Sequence, residues 1–245
     1  LVIKLPCNIL FNFIGNHMFG KKAYIDLITK MNESGLSFST NWNKKLSKND
    51  VLLRHDVDFS ISMALNISKI EHSLKVQSTF FFLLSSNLYN LLSKVNVEKI
   101  HKIISLGHKV SLHWDPTVHE NEKTFLTEKQ TFEEILGVNV DIVSIHRPGK
   151  FLNNNNRDLF GTSHTYQNRF FRDMSYLSDS AGTPVQKRIN NYLNNRNQFG
   201  LQLLLHPIWW EKETENPTNT LNNWLLENTD FLKSEISLNC KTYKS

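Results

Sequence analysis

At 245 residues, with 40% hydrophobic and 21% charged side chains, the chain has the length and composition of a globular protein with a sizeable core. Its formal charge of +5 comes from dispersed basic residues. Lys21, Lys22, Lys30, Lys44, Lys45 and Lys48 thicken the N-terminal part without forming a run or interleaving with aromatics. That pattern argues against a nucleic-acid groove and leaves room for weak attraction to an anionic surface, including peripheral membrane association, or an anionic substrate. The two cysteines, Cys7 and Cys240, lie near opposite ends and suggest neither a disulfide framework nor a cysteine metal site, which fits a reduced, cytoplasmic setting.

The first twenty residues are apolar in places, but Asn8, Asn12, Asn16 and His17 interrupt them. The run is too short and broken to span a bilayer, and no small-residue cleavage site follows. Residues 1–22 are therefore expected to form an N-terminal arm, docked or poorly ordered, and 23–245 a single catalytic domain.

From Ala23 to Asn32 the spacing predicts a helix with Tyr24, Leu27, Ile28 and Met31 on one face. Val51 to Leu53 reads as a short buried strand that ends in charged residues. Ser60 is placed to cap a helix carrying Ile61, Ala64, Leu65, Ile67, Ile70 and Leu74. Thr79 to Leu84 is apolar throughout and rich in β-formers, as in a strand buried on both faces. A helix from Val97 to Leu106 closes at Gly107, and Lys109 to His113 reads as the next strand. A helix from Thr127 to Leu136 closes at Gly137, followed by strands at Val140 to Ile145 and Gly200 to Leu205, then a helix from Leu221 to Phe231. Asn153 to Asn156 and Asn190 to Asn197 read as surface loops or helix ends. Strands alternating with helices indicate parallel βα units.

Chemistry-bearing residues gather at the ends of these strands. Asp56 and Asp58 follow the first, His113 and Asp115 the strand at Lys109, His146 and Arg147 the strand at Val140, and His206 the strand at Gly200. In parallel α/β folds the carboxyl ends of strands share one face, where ligands bind. Taken singly, an aspartate after a strand is more often a turn or cap residue, and a lone histidine a satisfied half-buried one. Those bland readings would have to hold at four strand ends together, so a shared site is the better account.

The segments Leu53-Arg54-His55-Asp56-Val57-Asp58, Thr79-Phe80-Phe81-Phe82, Gly107 to His113, Ser144-Ile145-His146-Arg147-Pro148 and Leu204-Leu205-His206-Pro207 resemble the polysaccharide deacetylases of carbohydrate esterase family 4. More narrowly, the chain resembles the branch associated with bacterial surface-polysaccharide (O-antigen or capsule) biosynthesis. The likeness runs over about residues 24 to 235.

The resemblance implies a deformed (β/α) barrel of mostly parallel strands with one divalent metal at the strand ends, Zn2+ or another transition metal. It implies Asp56 as general base and Asp58 as metal ligand. Val57 separates carboxylates that are adjacent in the family, so an exchange of the two roles stays open. If the strand continues through both, its period of two puts them on one face. His113 matches the first of the family's paired histidines, but Thr117 stands where the second would be. His146, His119 and Asp115 are the options for the third ligand, with His146 preferred. The resemblance further implies Arg147 as the residue orienting the catalytic aspartate, Asp179 as a partner of the catalytic histidine, and His206 as general acid. Trp209 and Trp210 could offer flat faces to a sugar ring or belong to the core.

The implied reaction is removal of an N-acyl group, acetyl or formyl, from an amino sugar that is nucleotide-linked, lipid-linked or polymeric. Two rival readings are a non-catalytic sugar-binding protein on the same fold and a metal-independent glycosidase.

Overall fold

The computed structural model describes residues 18–149, 156–214 and 216–244; Cys7, most of the expected arm and Asn153 to Asn155 lie outside them. The chain begins with α1 (Lys21–Glu33) and β1 (Ser37–Phe38), then β2 (Asp50–Val57), α2 (Ile61–Ser73) and β3 (Thr79–Phe82). Next come α3 (Lys94–Ser105), β4 (Lys109–Trp114), α4 (Glu122–Leu136), β5 (Ile142–Ile145) and β6 (Ser163–His164). The short α5 (Asn168–Phe171) leads to β7 (Ser175–Ser178), α6 (Gln186–Asn194), β8 (Leu201–Leu205) and α7 (Pro217–Asn239).

All pairings between these strands are parallel, in the order β6-β5-β4-β3-β2-β8-β7, with β1 on the first residues of β2. In a flat sheet β2 and β6 would stand about 19 Å apart, four strand spacings. Yet Arg54 of β2 donates a hydrogen bond to the Tyr166 hydroxyl, two residues beyond β6, at 3.0 Å. The sheet is therefore strongly curled. This is a deformed (β/α) barrel, in agreement with the expectation from sequence.

Local chemistry explains most elements. The predicted face of α1, Tyr24, Leu27, Ile28 and Met31, is buried. Ser60 caps α2 by accepting from the Met63 N–H, and Gly137 ends α4 in the left-handed conformation at φ 63°. β3 is buried on both faces, as its uniform apolarity predicted.

The main difference is at β2, which does not stop at Leu53 but runs to Val57 with all eight residues buried. Its charged residues remain in the strand because each finds a partner. Arg54 and Asp56 point into the barrel, whereas His55 and Val57 pack towards the helices. β1 and β6 were not predicted because they are only two residues each; β7 and α6 were missed because their sequences are polar. α7 is longer than Leu221 to Phe231, with Asn216 capping its start. Phe19, from the segment expected as an arm, is fully buried against Trp209 and Trp210.

Candidate metal centre and active site

Three strands aim candidate ligand side chains at one point. Asp58 lies one residue past β2, His113 near the end of β4 and His146 one residue past β5. Asp58 Oδ1 is 3.2 Å from His113 Nε2 and 3.4 Å from His146 Nδ1, and the two nitrogens are 3.2 Å apart. Donors held at about 2.0–2.1 Å by a tetrahedral ion stand roughly 3.3 Å from one another. The triangle thus matches the edges of such a coordination shell, and its one carboxylate and two imidazoles suit a zinc-type ion. Burial alone would raise the Asp58 carboxyl, but His113, His146 and His206 outweigh it and hold it well below the ordinary range. Burial disfavours a charged His113, yet Asp56 and Asp58 raise it above its ordinary value.

The other two options for the third ligand lie outside this group. Asp115 accepts from the backbone N–H and hydroxyl of Thr117, tying up its own loop. His119 Nε2 is 3.1 Å from Ser85 Oγ and 3.6 Å from Glu128. Thr117, where the family has its second histidine, is therefore part of a turn, and His146, just after β5, completes the triangle instead.

Asp56 borders the triangle, with Oδ2 3.9 Å from His113 Nε2. That oxygen accepts from Ser144 Oγ at 2.8 Å and lies 3.7 Å from the buried guanidinium of Arg54. Asp56 Oδ1 is buried without a hydrogen-bond partner among the described residues. Arg54 is held by Ser144, Thr165 and Tyr166, and its charge sits 4.9 Å from the centre of the Tyr166 ring. Burial would lower Arg54, but Asp56 and Tyr166 raise it further, so it is a fixed positive charge.

His206 follows β8 and turns its Nε2 to the same space, 3.8 Å from Asp58 Oδ2. Its Nδ1 is 2.6 Å from Asp179 Oδ1, and Asp179 also accepts from the His206 backbone N–H and from Trp210 Nε1. Burial disfavours the imidazolium, but Asp179, Asp58 and Asp56 push His206 up to about 9.

Two sequence expectations change. Arg147 is exposed with φ at 48°, and the arginine beside Asp56 is Arg54. Trp209 and Trp210 are buried in the core, 6% and 0% exposed, and offer no open face to a sugar ring; Trp210 instead helps hold Asp179. Ser144 and Tyr166 were not singled out. Period-two alternation was the signal available for Arg54, on the face of Asp56, and for Ser144, on the face of His146; Tyr166 had none.

No family model and no curated protein matches the chain. Solved structures do. IcaB from Ammonifex degensii is 16% identical with a TM-score of 0.40, over 51% of this chain and 65% of that one. A mutant family 4 pseudoenzyme of Bacillus anthracis with restored activity is 15% identical with a TM-score of 0.43, over 78% of this chain and 64% of that one. The chain thus spans just under two thirds of both. A family 4 carbohydrate esterase from Bacillus anthracis is 16% identical with a TM-score of 0.41, over 87% and 86% of the two chains. Two of these neighbours are named as members of carbohydrate esterase family 4.

Proposed function

We propose that the protein is a metal-dependent hydrolase that removes an N-acyl group, acetyl or formyl, from an amino sugar during surface-polysaccharide biosynthesis. The observation that carries this reading is the pairing of the Asp58–His113–His146 triangle with the Asp179–His206 pair facing the same space. Amide hydrolysis needs an activated water, a stabilised oxyanion and a proton for the departing nitrogen.

Asp58, His113 and His146 would hold the ion. Bound there, a divalent cation supplies Lewis-acid polarisation of the acyl carbonyl and makes a water more acidic. Asp56 takes the proton from that water. Its Oδ1 is left for this, while Ser144 and Arg54 hold the other oxygen in place. His206 delivers a proton from Nε2 to the leaving nitrogen as the C–N bond breaks. Asp179 holds the opposite ring nitrogen, so the ring is oriented and its charged form favoured.

The substrate would be nucleotide-linked, lipid-linked or polymeric, and a cytoplasmic setting suits the first two. No helix among the described residues is long and apolar enough to cross a membrane. The test is elemental analysis of the purified protein joined to an acyl-release assay over N-acetyl and N-formyl amino sugars on each carrier. Release that requires the ion supports the reading. Cleavage of a glycosidic bond that is indifferent to chelator, with no acyl release, would favour a glycosidase, and sugar binding without release under any metal would favour a non-catalytic protein.

A further inference from the structure

Behind the site, on the helix-facing side of β2, lies a buried polar cluster with no part in the chemistry above. Glu71 of α2 is fully buried and has four neighbours. Its Oε1 accepts from the Tyr24 hydroxyl at 2.6 Å and lies 2.9 Å from His55 Nε2, and its Oε2 accepts from Ser78 Oγ at 2.7 Å. His108 Nδ1 stands 3.5 Å from Oε2, but that nitrogen already accepts from the Ser78 backbone N–H, while Nε2 donates to the Ser68 carbonyl. His108 is therefore a satisfied core histidine, and His55 is the ring that Glu71 engages directly. Burial would raise the Glu71 carboxyl, but His55 outweighs it and the group is held below its ordinary range.

His55 points its other nitrogen across the sheet. Nδ1 is 3.2 Å from the Leu205 carbonyl, and a carbonyl can only accept. The register of β2 against β8 runs from Val51–Leu201 to His55–Leu205. Beyond that pair the strands separate: β2 goes on to Asp56 and Asp58, and β8 turns at His206. The His55 side chain thus bridges the strands at their last paired residues, one residue before the proposed base on one strand and the proposed acid on the other. The ring is stacked on Phe80 at 4.5 Å between centroids, which fixes its plane.

Resting on the function proposed above, we propose that His55, oriented by Glu71, is a positioning residue that sets the spacing between the Asp56–Asp58 strand end and His206. A hydrolase with its base and acid on different strands needs both within a fraction of an ångström of their working places. A displacement of about 1 Å caused by a substitution away from the reacting atoms can cost on the order of 100-fold in rate. A cluster that only supported the fold would change the folded fraction and leave turnover per folded molecule alone.

The test has two parts. In the unaltered protein, long-range 15N–1H correlation spectra of the histidine rings report which nitrogens of His55 carry protons. A protonated Nδ1 is expected, and a bare Nδ1 overturns the proposal without any variant having to fold. In the metal-loaded enzyme, His55→Phe keeps the stacking on Phe80 but loses both ring nitrogens, whereas His55→Gln retains an amide donor. His55→Phe should lower kcat roughly 10- to 100-fold per folded molecule with KM and metal content unchanged, and His55→Gln should recover part of the loss. Unchanged kcat per folded molecule in His55→Phe overturns the proposal. If the unaltered protein releases no acyl group under any metal, the function proposed above fails, whereas the ring assignment is decided by its own signal.

Discussion

Asp179 surrounds the inner edge of His206: one carboxylate oxygen lies 2.6 Å from the ring Nδ1, and both lie 3.0 Å from the same residue's backbone N–H. The ring therefore cannot rotate without losing a charged partner, and its Nε2 stays directed at the site. His206→Ala should retain the metal and lose about 10²- to 10⁴-fold in turnover, the usual worth of a positioned acid. Elemental analysis and single-turnover assays together check this; loss of the ion would instead make His206 a ligand.

The same contact sets a pH dependence. Asp179 is the chief influence raising His206 towards about 9, so the charged, proton-donating form survives above the ordinary histidine range. The alkaline limb of kcat/KM reports this acid in the free enzyme. Asp179→Asn removes the raising charge, and the limb should move to lower pH. A limb that does not move would identify a different group as the acid.

Asp58→Ala and His146→Ala should each weaken metal binding by more than the roughly 10- to 100-fold that loss of an outer hydrogen-bond partner costs. His119→Ala and Asp115→Ala should leave it unchanged, because neither joins the 3.2–3.4 Å triangle. Calorimetric titration with Zn2+ measures all four, and a strong loss in His119→Ala would redraw the site.

Two arginines compete for one role, and substitution separates them. Arg54 is buried beside Asp56 and bonded to Ser144, Thr165 and Tyr166, whereas Arg147 is exposed. Arg54→Met leaves a buried carboxylate unpaired and should destabilise the fold by about 3 kcal/mol. Arg147→Ala should cost less than about 0.5 kcal/mol. Urea denaturation of both variants gives the comparison.

Glu128 on α4 offers a test of stability against pH. Burial, with help from Asp115, raises its carboxyl to about 8, and its Oε2 has no hydrogen-bond partner. The folded state holds the proton longer than the unfolded chain, so the contribution is favourable below about 4.5 and is lost as pH rises to about 8. The slope across that window approaches 1.4 kcal/mol per pH unit. In Glu128→Gln this slope should vanish, and melting temperatures from pH 5 to 9 would reveal it.

Much of this was legible in the chain because apolar runs and glycine stops mark parallel βα units directly. The helix face at Tyr24, the Ser60 cap and the uniformly buried β3 follow from local rules alone. β2 was cut short because Arg54, His55 and Asp56 look like a strand leaving the core, and only partners 16 to 112 residues away make them tolerable there. The same distance hid Arg54 behind Arg147. The tryptophans misled for another reason: composition cannot distinguish a ring that faces a ligand from one that seals the core under α1.

The third ligand has a consequence for how the site could vary. In a pair of histidines four residues apart, the loop after the strand is bound to the metal and cannot be remodelled freely. Here His146 is anchored by the sheet, its backbone N–H donating to the Trp114 carbonyl at 2.7 Å, and with the proposed ligand set the segment from Asp115 to Asn121 would carry no coordination duty. His119 O, which accepts from Trp114 Nε1, and Asn121, which caps α4, tie that stretch to the fold, so the exposed Thr117, Val118 and Glu120 would be the positions open to change. On the function proposed above, those are the positions where a lineage, or an engineer, could alter substrate preference without touching the proposed ligands.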